Sequence, residues 1–167
     1  MRSISFTNKI IGILLFFTLL FQIIFCQYSK YRKHPLKTLQ TITLQIGSTK
    51  NKLQLWVMNS DHKMAEGMMF LQDHEVKANQ GMLFIHPKPQ VLRYWMRNTL
   101  IPLDVLYLDL NGKILNIEVL KPLNLESVPS KGLAKYAIEL KAGTSQKLNI
   151  KPGMRVMIPK NLKHLSK

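Results

Sequence analysis

Asn111-Gly112 stands between two strand-forming runs, DVLYLDL (residues 104–110) and KILNIEVL (113–120), and no other feature restricts the fold as much. Both residues tolerate positive φ, so the pair favours a tight hairpin whose strands are antiparallel neighbours. Period-two alternation recurs upstream in TITLQIG (41–47), with Ile42, Leu44 and Ile46 on one face, and in KLQLWVM (52–58), with Leu53, Leu55 and Val57. These two runs read as a first hairpin, with Gly47 and the residues before Lys52 supplying the turn. In NSDHKMAEGMMFL (59–71) the spacing changes to about four; Ser60 or Asp61 can cap a short helix there and Gly67 can stop it.

Further strands are expected at MLFI (82–85), RYWM (93–96), KYAIELK (135–141) and PGMRVMI (152–158), with an exposed loop at ESVPSKG (126–132) and a short helical turn at GTSQKLN (143–149). Many short strands with frequent turns point to a mainly β (β-rich α+β) fold, a compact antiparallel barrel-like or sandwich domain with one or two short helices. The organisation expected is residues 1–37 as an N-terminal segment, 38–159 as one β-rich domain, and 160–167 as a basic tail.

The N-terminal segment holds IIGILLFFTLLFQIIFC (10–26), an uncharged apolar run preceded by Arg2 and Lys9. This is the layout of a secretory signal or membrane anchor, expected as an apolar helix preceding the domain. Phe25 and Ile23 stand where a cleavage site needs small residues, which favours an uncleaved anchor. Phe25 is likewise too bulky for a lipobox before Cys26. Lys30, Arg32, Lys33 and Lys37 follow the run, against the usual positive-inside balance for export. Even so, a domain behind an N-terminal apolar segment is expected on the periplasmic or outer face, or secreted if the segment is cleaved. The single cysteine allows no internal disulfide and does not decide the compartment.

The net charge of +15 is concentrated at the ends. Residues 1–37 carry six Lys/Arg and residues 155–167 carry four, both without acids, so the 14 that remain face all nine Asp/Glu and leave the middle at +5. Basic flanks of this kind suit anionic lipid headgroups, and no nucleic-acid partner is expected.

Several blocks occur in a fixed order: Glu66-Gly67-Met68-Met69, Gly81-Met82-Leu83-Phe84, Tyr94-Trp95-Met96-Arg97-Asn98-Thr99, Ile101-Pro102-Leu103-Asp104, Ile138-Glu139-Leu140 and Pro152-Gly153. Together they resemble the domain of unknown function 192 family over about residues 40–158. The resemblance implies a compact β-rich domain, often exported in bacteria, with no established activity and no catalytic residue to carry over. It marks Gly67, Met68, Gly81, Met82, Phe84, Pro102, Gly112, Glu139 and Gly153 as structural motif positions. The chain departs from the pattern at Phe70 and Leu71, where the family usually has an arginine, and at Met154, where it has an acid.

The chemistry concentrates in YWMRNTLIPLD (94–104). Trp95, Arg97, Asn98, Thr99 and Asp104 are candidates for a small polar pocket, in which Trp95 offers a stacking face, Arg97 an anion fork and Asn98 a donor and an acceptor. The structural alternative is a tight corner, in which Asp104 accepts backbone amides and Pro102 fixes the turn. Asp104 is also the weak catalytic candidate for an enzyme acting on a sugar or peptide. Met64, Met68, Met69, Met82 and Met96 could form a soft Cu(I) site, against the simpler reading of core packing.

No nucleophile elbow, zinc spacing or phosphate-binding glycine loop occurs, and no cofactor is expected. The function expected is a non-enzymatic binding or accessory module of the cell envelope, partnered by the membrane through residues 10–26 and by a protein or small molecule not specified by the sequence.

Overall fold

The computed structural model describes residue 11, residues 31–47 and residues 52–162. The expected apolar helix, residues 10–26, lies outside them apart from Ile11, and among the described residues no helix is long and apolar enough to cross a membrane.

The strands are β1 (Thr41–Gln45), β2 (Lys52–Met58), β3 (Gln80–Gln90), β4 (Arg93–Tyr94), β5 (Leu103–Leu108), β6 (Ile114–Leu120), β7 (Val128–Pro129) and β8 (Ala134–Lys141), with short helices α1 (Asp61–Glu66) and α2 (Thr144–Lys147). Six strands form one sheet in the order β1-β2-β3-β8-β5-β6, and β4 pairs with β7 in a second, two-stranded sheet. The fold is mainly β, as expected, with two corrections.

First, the sheet is mixed: β2 runs parallel to β3, with Trp56 opposite Met82 and Met58 opposite Phe84. A parallel pair needs a long crossover, and residues 59–79, which carry α1, provide it. Second, the sheet does not close into a barrel. The expected last strand contributes only single bridges, Ile46 to Val156 and Lys113 to Arg155, which lay the C-terminal segment between the end of β1 and the start of β6.

Both expected hairpins form. β1 pairs antiparallel with β2 and β5 with β6. In the second turn Gly112 has φ 77°, and Asp109 Oδ1 accepts the amides of Asn111 at 2.8 Å and Lys113 at 2.9 Å. Gly112 answers two demands there, since a Cβ would also run into the Val156 carbonyl.

Alternation distributes the apolar residues onto two faces, each with its own core. One face gathers Leu55, Val57, Leu83, Leu106, Tyr136 and Ile138, covered by Ile150, Val156 and Leu162. Leu162 is therefore packed into the domain, although it lies in the stretch expected as a tail. The other face gathers Met58, Met82, Phe84, Val105 and Tyr107, covered by Met68, Leu71, Met96 and Ile101. Because β8 sits between β3 and β5 with both faces covered, every residue from Ala134 to Leu140 is buried.

The β3–β8 contact is close at Gly81, where a Cβ would strike the Glu139 carbonyl and lie 2.6 Å from Leu140 Cδ2. Overpacking of this kind usually costs 1–3 kcal/mol, and here the obstacle is backbone rather than a flexible side chain. Gly81→Ala should lower the unfolding free energy by about 2 kcal/mol or more, read from urea denaturation at constant m-value; an unchanged midpoint would contradict the close pairing.

Candidate functional site

On the face covered by α1, β8 presents Lys135, Ala137 and Glu139, the residues that alternate with Tyr136, Ile138 and Leu140. Glu139 is 6% exposed, and its Oε2 has no hydrogen-bond partner among the described residues. Burial pushes its carboxyl up to about 8, opposed by a backbone hydrogen bond from Met68 and by the Arg32 guanidinium. At neutral pH the group is therefore held mostly protonated, able to donate one hydrogen bond and accept another.

Glu139 lines a small cavity of about 30 Å³, together with Gly67, Met69, Tyr94, Trp95 and Thr99. That volume admits one water-sized group. Gly67 keeps it open: at φ 45° it stops α1, and a Cβ there would stand 3.3 Å from Phe84 Cζ and 3.5 Å from Glu139 Oε2. Tyr94 packs edge-on against Phe84, with centroids 5.1 Å apart, and its hydroxyl lies 3.0 Å from His86 Nε2. Burial also raises the Tyr94 hydroxyl well above the usual phenol range, so it stays protonated.

The loop walls are tied through main chain. Phe70 and Asn98 both adopt positive φ, 64° and 55°, and the Phe70 amide donates to the Asn98 carbonyl at 2.8 Å. Thr99 is buried beside this link, and its amide donates to the Met96 carbonyl at 3.0 Å.

Arg32 closes the arrangement from behind. It is 7% exposed, and Nη1 donates to the carbonyls of Gly67 at 2.8 Å and Met69 at 2.7 Å. Its Nη2 lies 3.5 Å from Glu66 Oε2, and that carboxylate also accepts the amides of Lys33 at 2.6 Å and His34 at 3.1 Å. Residues before 38, expected as part of the N-terminal segment, thus contribute a buried side chain to the domain. A guanidinium does reach the Gly67–Met69 loop in this chain, from Arg32 instead of from the positions of Phe70 or Leu71.

The structure divides the residues singled out in the sequence. Trp95 and Thr99 line the cavity; Trp95 is 46% exposed, with the Arg97 guanidinium 5.6 Å from its ring centroid. Asn98 contributes its backbone. Asp104 lies on the opposite face of the sheet, where Oδ1 accepts the Gly143 amide at 3.1 Å and Oδ2 the Ser145 amide at 2.8 Å, fixing the turn into α2. Both its oxygens are occupied by backbone, and it does not meet Trp95 or Glu139. Met68, Met82 and Met96 are buried in the core of the Glu139 face, with Met64 packed against them, and Met64, Met68 and Met69 border the cavity. Among the described residues no group of three His, Cys, Asp or Glu could hold a metal ion.

The family model for the domain of unknown function 192, described as an uncharacterized ACR, matches residues 42–158. The chain belongs to this family. Two solved structures extend the match for this DUF192 domain. A protein of unknown function from Novosphingobium aromaticivorans is 29% identical with a TM-score of 0.67, over 75% of this chain and 90% of its own. A putative transcription regulator from Sinorhizobium meliloti is 25% identical with a TM-score of 0.67, over 71% of this chain and 94% of its own. No curated protein matches the chain.

Sequence reasoning placed Glu139 of this DUF192 domain among the structural motif positions and left Arg32 in a basic segment. The missed signal for Glu139 is a lone acid in a strand flanked on both sides by strands, where a charge needs a reason to be buried.

Two outcomes follow. Asp104→Ala should cost about 1–3 kcal/mol of stability by leaving two amides unpaired, measured by thermal or urea unfolding; a neutral result would show that the turn holds without it. The carboxyl of Glu139 titrates ordinarily at 4.5 and in the fold at about 8. Between these values the unfolded chain has released a proton that the folded chain keeps, so stability falls as pH rises and levels off above 8. His86, pushed down from 6.5 to about 4 by burial and then by Lys135, acts in the opposite sense below 6.5, so the clean window is pH 6.5 to 8. There the wild-type chain should lose about 2 kcal/mol and Glu139→Gln distinctly less; parallel curves would refute the buried acid.

Proposed function

We propose that this DUF192 protein is a binding module of the cell envelope, and that its ligand inserts one neutral polar group, a hydroxyl or amide, into the cavity at Glu139. The observation that carries this reading is the buried Oε2 without a partner among the described residues, beside a void fit for a single such group. A buried polar atom left unsatisfied costs about 1–3 kcal/mol, which a ligand group able to pair with it would recover. The protonated carboxyl selects against cations, because it offers no net charge, and it can both donate to and accept from one hydroxyl. Trp95, half exposed at the rim, offers a flat face to the rest of the ligand, as expected for a sugar-like or other planar-faced molecule. Asp104 takes no part in this reading.

The envelope location rests on the apolar run at 10–26 and its basic flank, which would tether the domain close to the membrane. A second reading draws on the same carboxyl. A group with a pKa near 8, at the edge of a pocket, is suited to proton transfer, so an envelope enzyme acting on a sugar or peptide would use Glu139 in place of Asp104.

The test is amide-resolved NMR of the isotope-labelled chain with pyranose sugars, small amides and acetate as probes. Shifts at Trp95, Thr99 and Met68 are expected with the neutral probes and should be lost in Glu139→Leu, whose side chain fills the site without hydrogen bonding. No response to any probe from the folded chain would end the binding reading, and turnover of the probe that Glu139→Gln abolishes would establish the enzymatic one.

A further inference from the structure

On the other side of α1 lies an open cleft of about 500 Å³, many times larger than the Glu139 cavity and within the usual size range of small-ligand pockets. Its surface is mostly apolar. Tyr31 and Phe70 form one wall, with ring centroids 6.1 Å apart and planes tilted by 43°, and Ala65 and Met69 form the floor. Its rim is basic, carrying Lys33, His34 and His62, of which Lys33 and His62 are exposed.

Among the described residues the one acid lining the cleft is Glu66, and its charge is already engaged. Its oxygens accept the Lys33 and His34 amides, lie 3.0 Å from His34 Nδ1, and face the buried Arg32 guanidinium at 3.5 Å. An anion at the rim therefore meets the Lys33 ammonium and the ring nitrogens of His62, with the Glu66 carboxylate already paired. A mostly apolar cleft with Lys33 and His62 exposed on its rim complements a molecule with a hydrocarbon body and one anionic head.

We infer that this cleft binds a single anionic lipid, with its acyl chain along Tyr31, Phe70 and Met69 and its phosphate at Lys33 and His62. The inference rests on the membrane-tethered reading above. The cleft wall begins at Tyr31, five residues after the apolar run ends at Cys26, and a segment of that length spans at most about 18 Å. With residues 10–26 in the bilayer, Tyr31 would lie within about 18 Å of the membrane surface, near enough for the cleft to reach a lipid headgroup. Arg32 reinforces this placement, because its bonds to Gly67 and Met69 fix the first residues of the domain against the loop that supplies Met69 and Phe70. An acidic peptide would need a broader spread of cations than the single lysine this cleft offers.

The test uses the full chain in phosphatidylcholine nanodiscs doped with a photoactivatable phosphatidate or, as a control, the matching phosphatidylcholine analogue, with adducts mapped by mass spectrometry. Adducts at Tyr31, Met69 or Phe70 should exceed the control several-fold and fall to its level in Lys33→Glu/His62→Glu, a pair whose exposed positions leave the fold intact. Equal labelling by both lipids, adducts elsewhere on the domain, or displacement by an acidic peptide at unchanged lipid content would overturn the assignment. A chain that stays out of the discs refutes the tethered reading alone. Decyl phosphate in solution then decides the cleft: protection of Tyr31 and Phe70 from photo-oxidation supports it, and equal protection by decanol or none at all ends it.

Discussion

Everything around the candidate site depends on β8 being covered on both faces. A strand in that position cannot leave a carboxyl in water, so Glu139 is desolvated by the same packing that gives the sheet its two cores. The cost of keeping that carboxyl charged raises its pKa, and the charge is given up in favour of the neutral acid. Gly81 is part of the same arrangement, because the close approach of β3 at that point sets the position of the β8 backbone. The loop that follows α1 and the β4–β5 connection then close over the outer face and leave only a small void beside the acid.

Two carboxylates on neighbouring strands of one sheet thus meet opposite fates. Asp104 is about as buried as Glu139, but each of its oxygens receives a backbone amide at the entrance to α2. It is held by structure, with each oxygen engaged by a main-chain amide. Glu139 receives a backbone bond from Met68 and keeps an oxygen unpaired. The contrast follows from strand alternation: Asp104 and Glu139 point to opposite sides of the sheet, Asp104 toward the amides at the start of α2 and Glu139 toward the small cavity beside α1.

Much of the fold was legible because it is written locally. Asn111-Gly112 marks its turn, Ser60 and Gly67 bracket α1, and period two assigns Leu53, Leu55 and Val57 to one face. The parallel pairing of β2 with β3 was hidden, since strand direction depends on where the crossover carries the chain and no single residue encodes it. In KYAIELK the alternation sets Lys135, Ala137 and Glu139 on a face that looks solvated, and only the docking of α1 and the residues after β4 reveals it as buried. Arg32 was obscured in the same way. Amid a run of cations it reads as part of a wetted flank, yet its guanidinium satisfies two carbonyls that the tight loop after α1 turns inward. Trp95 and Thr99, singled out by residue type, do border one cavity, whereas Asp104 was grouped with them by nearness in sequence, and alternation along a strand turns it to the other face.

The bond from the Phe70 amide to the Asn98 carbonyl joins two left-handed residues from loops far apart in the chain. It uses no side-chain atom. The distance between the two walls is therefore indifferent to which residues decorate them, provided both positions can hold positive φ. Side chains elsewhere on the two loops could be exchanged while the gauge of the opening stays constant. The two positions themselves are narrowed by that backbone requirement to residues that tolerate a left-handed turn, which makes their shape, and not their chemistry, the feature that sets the spacing.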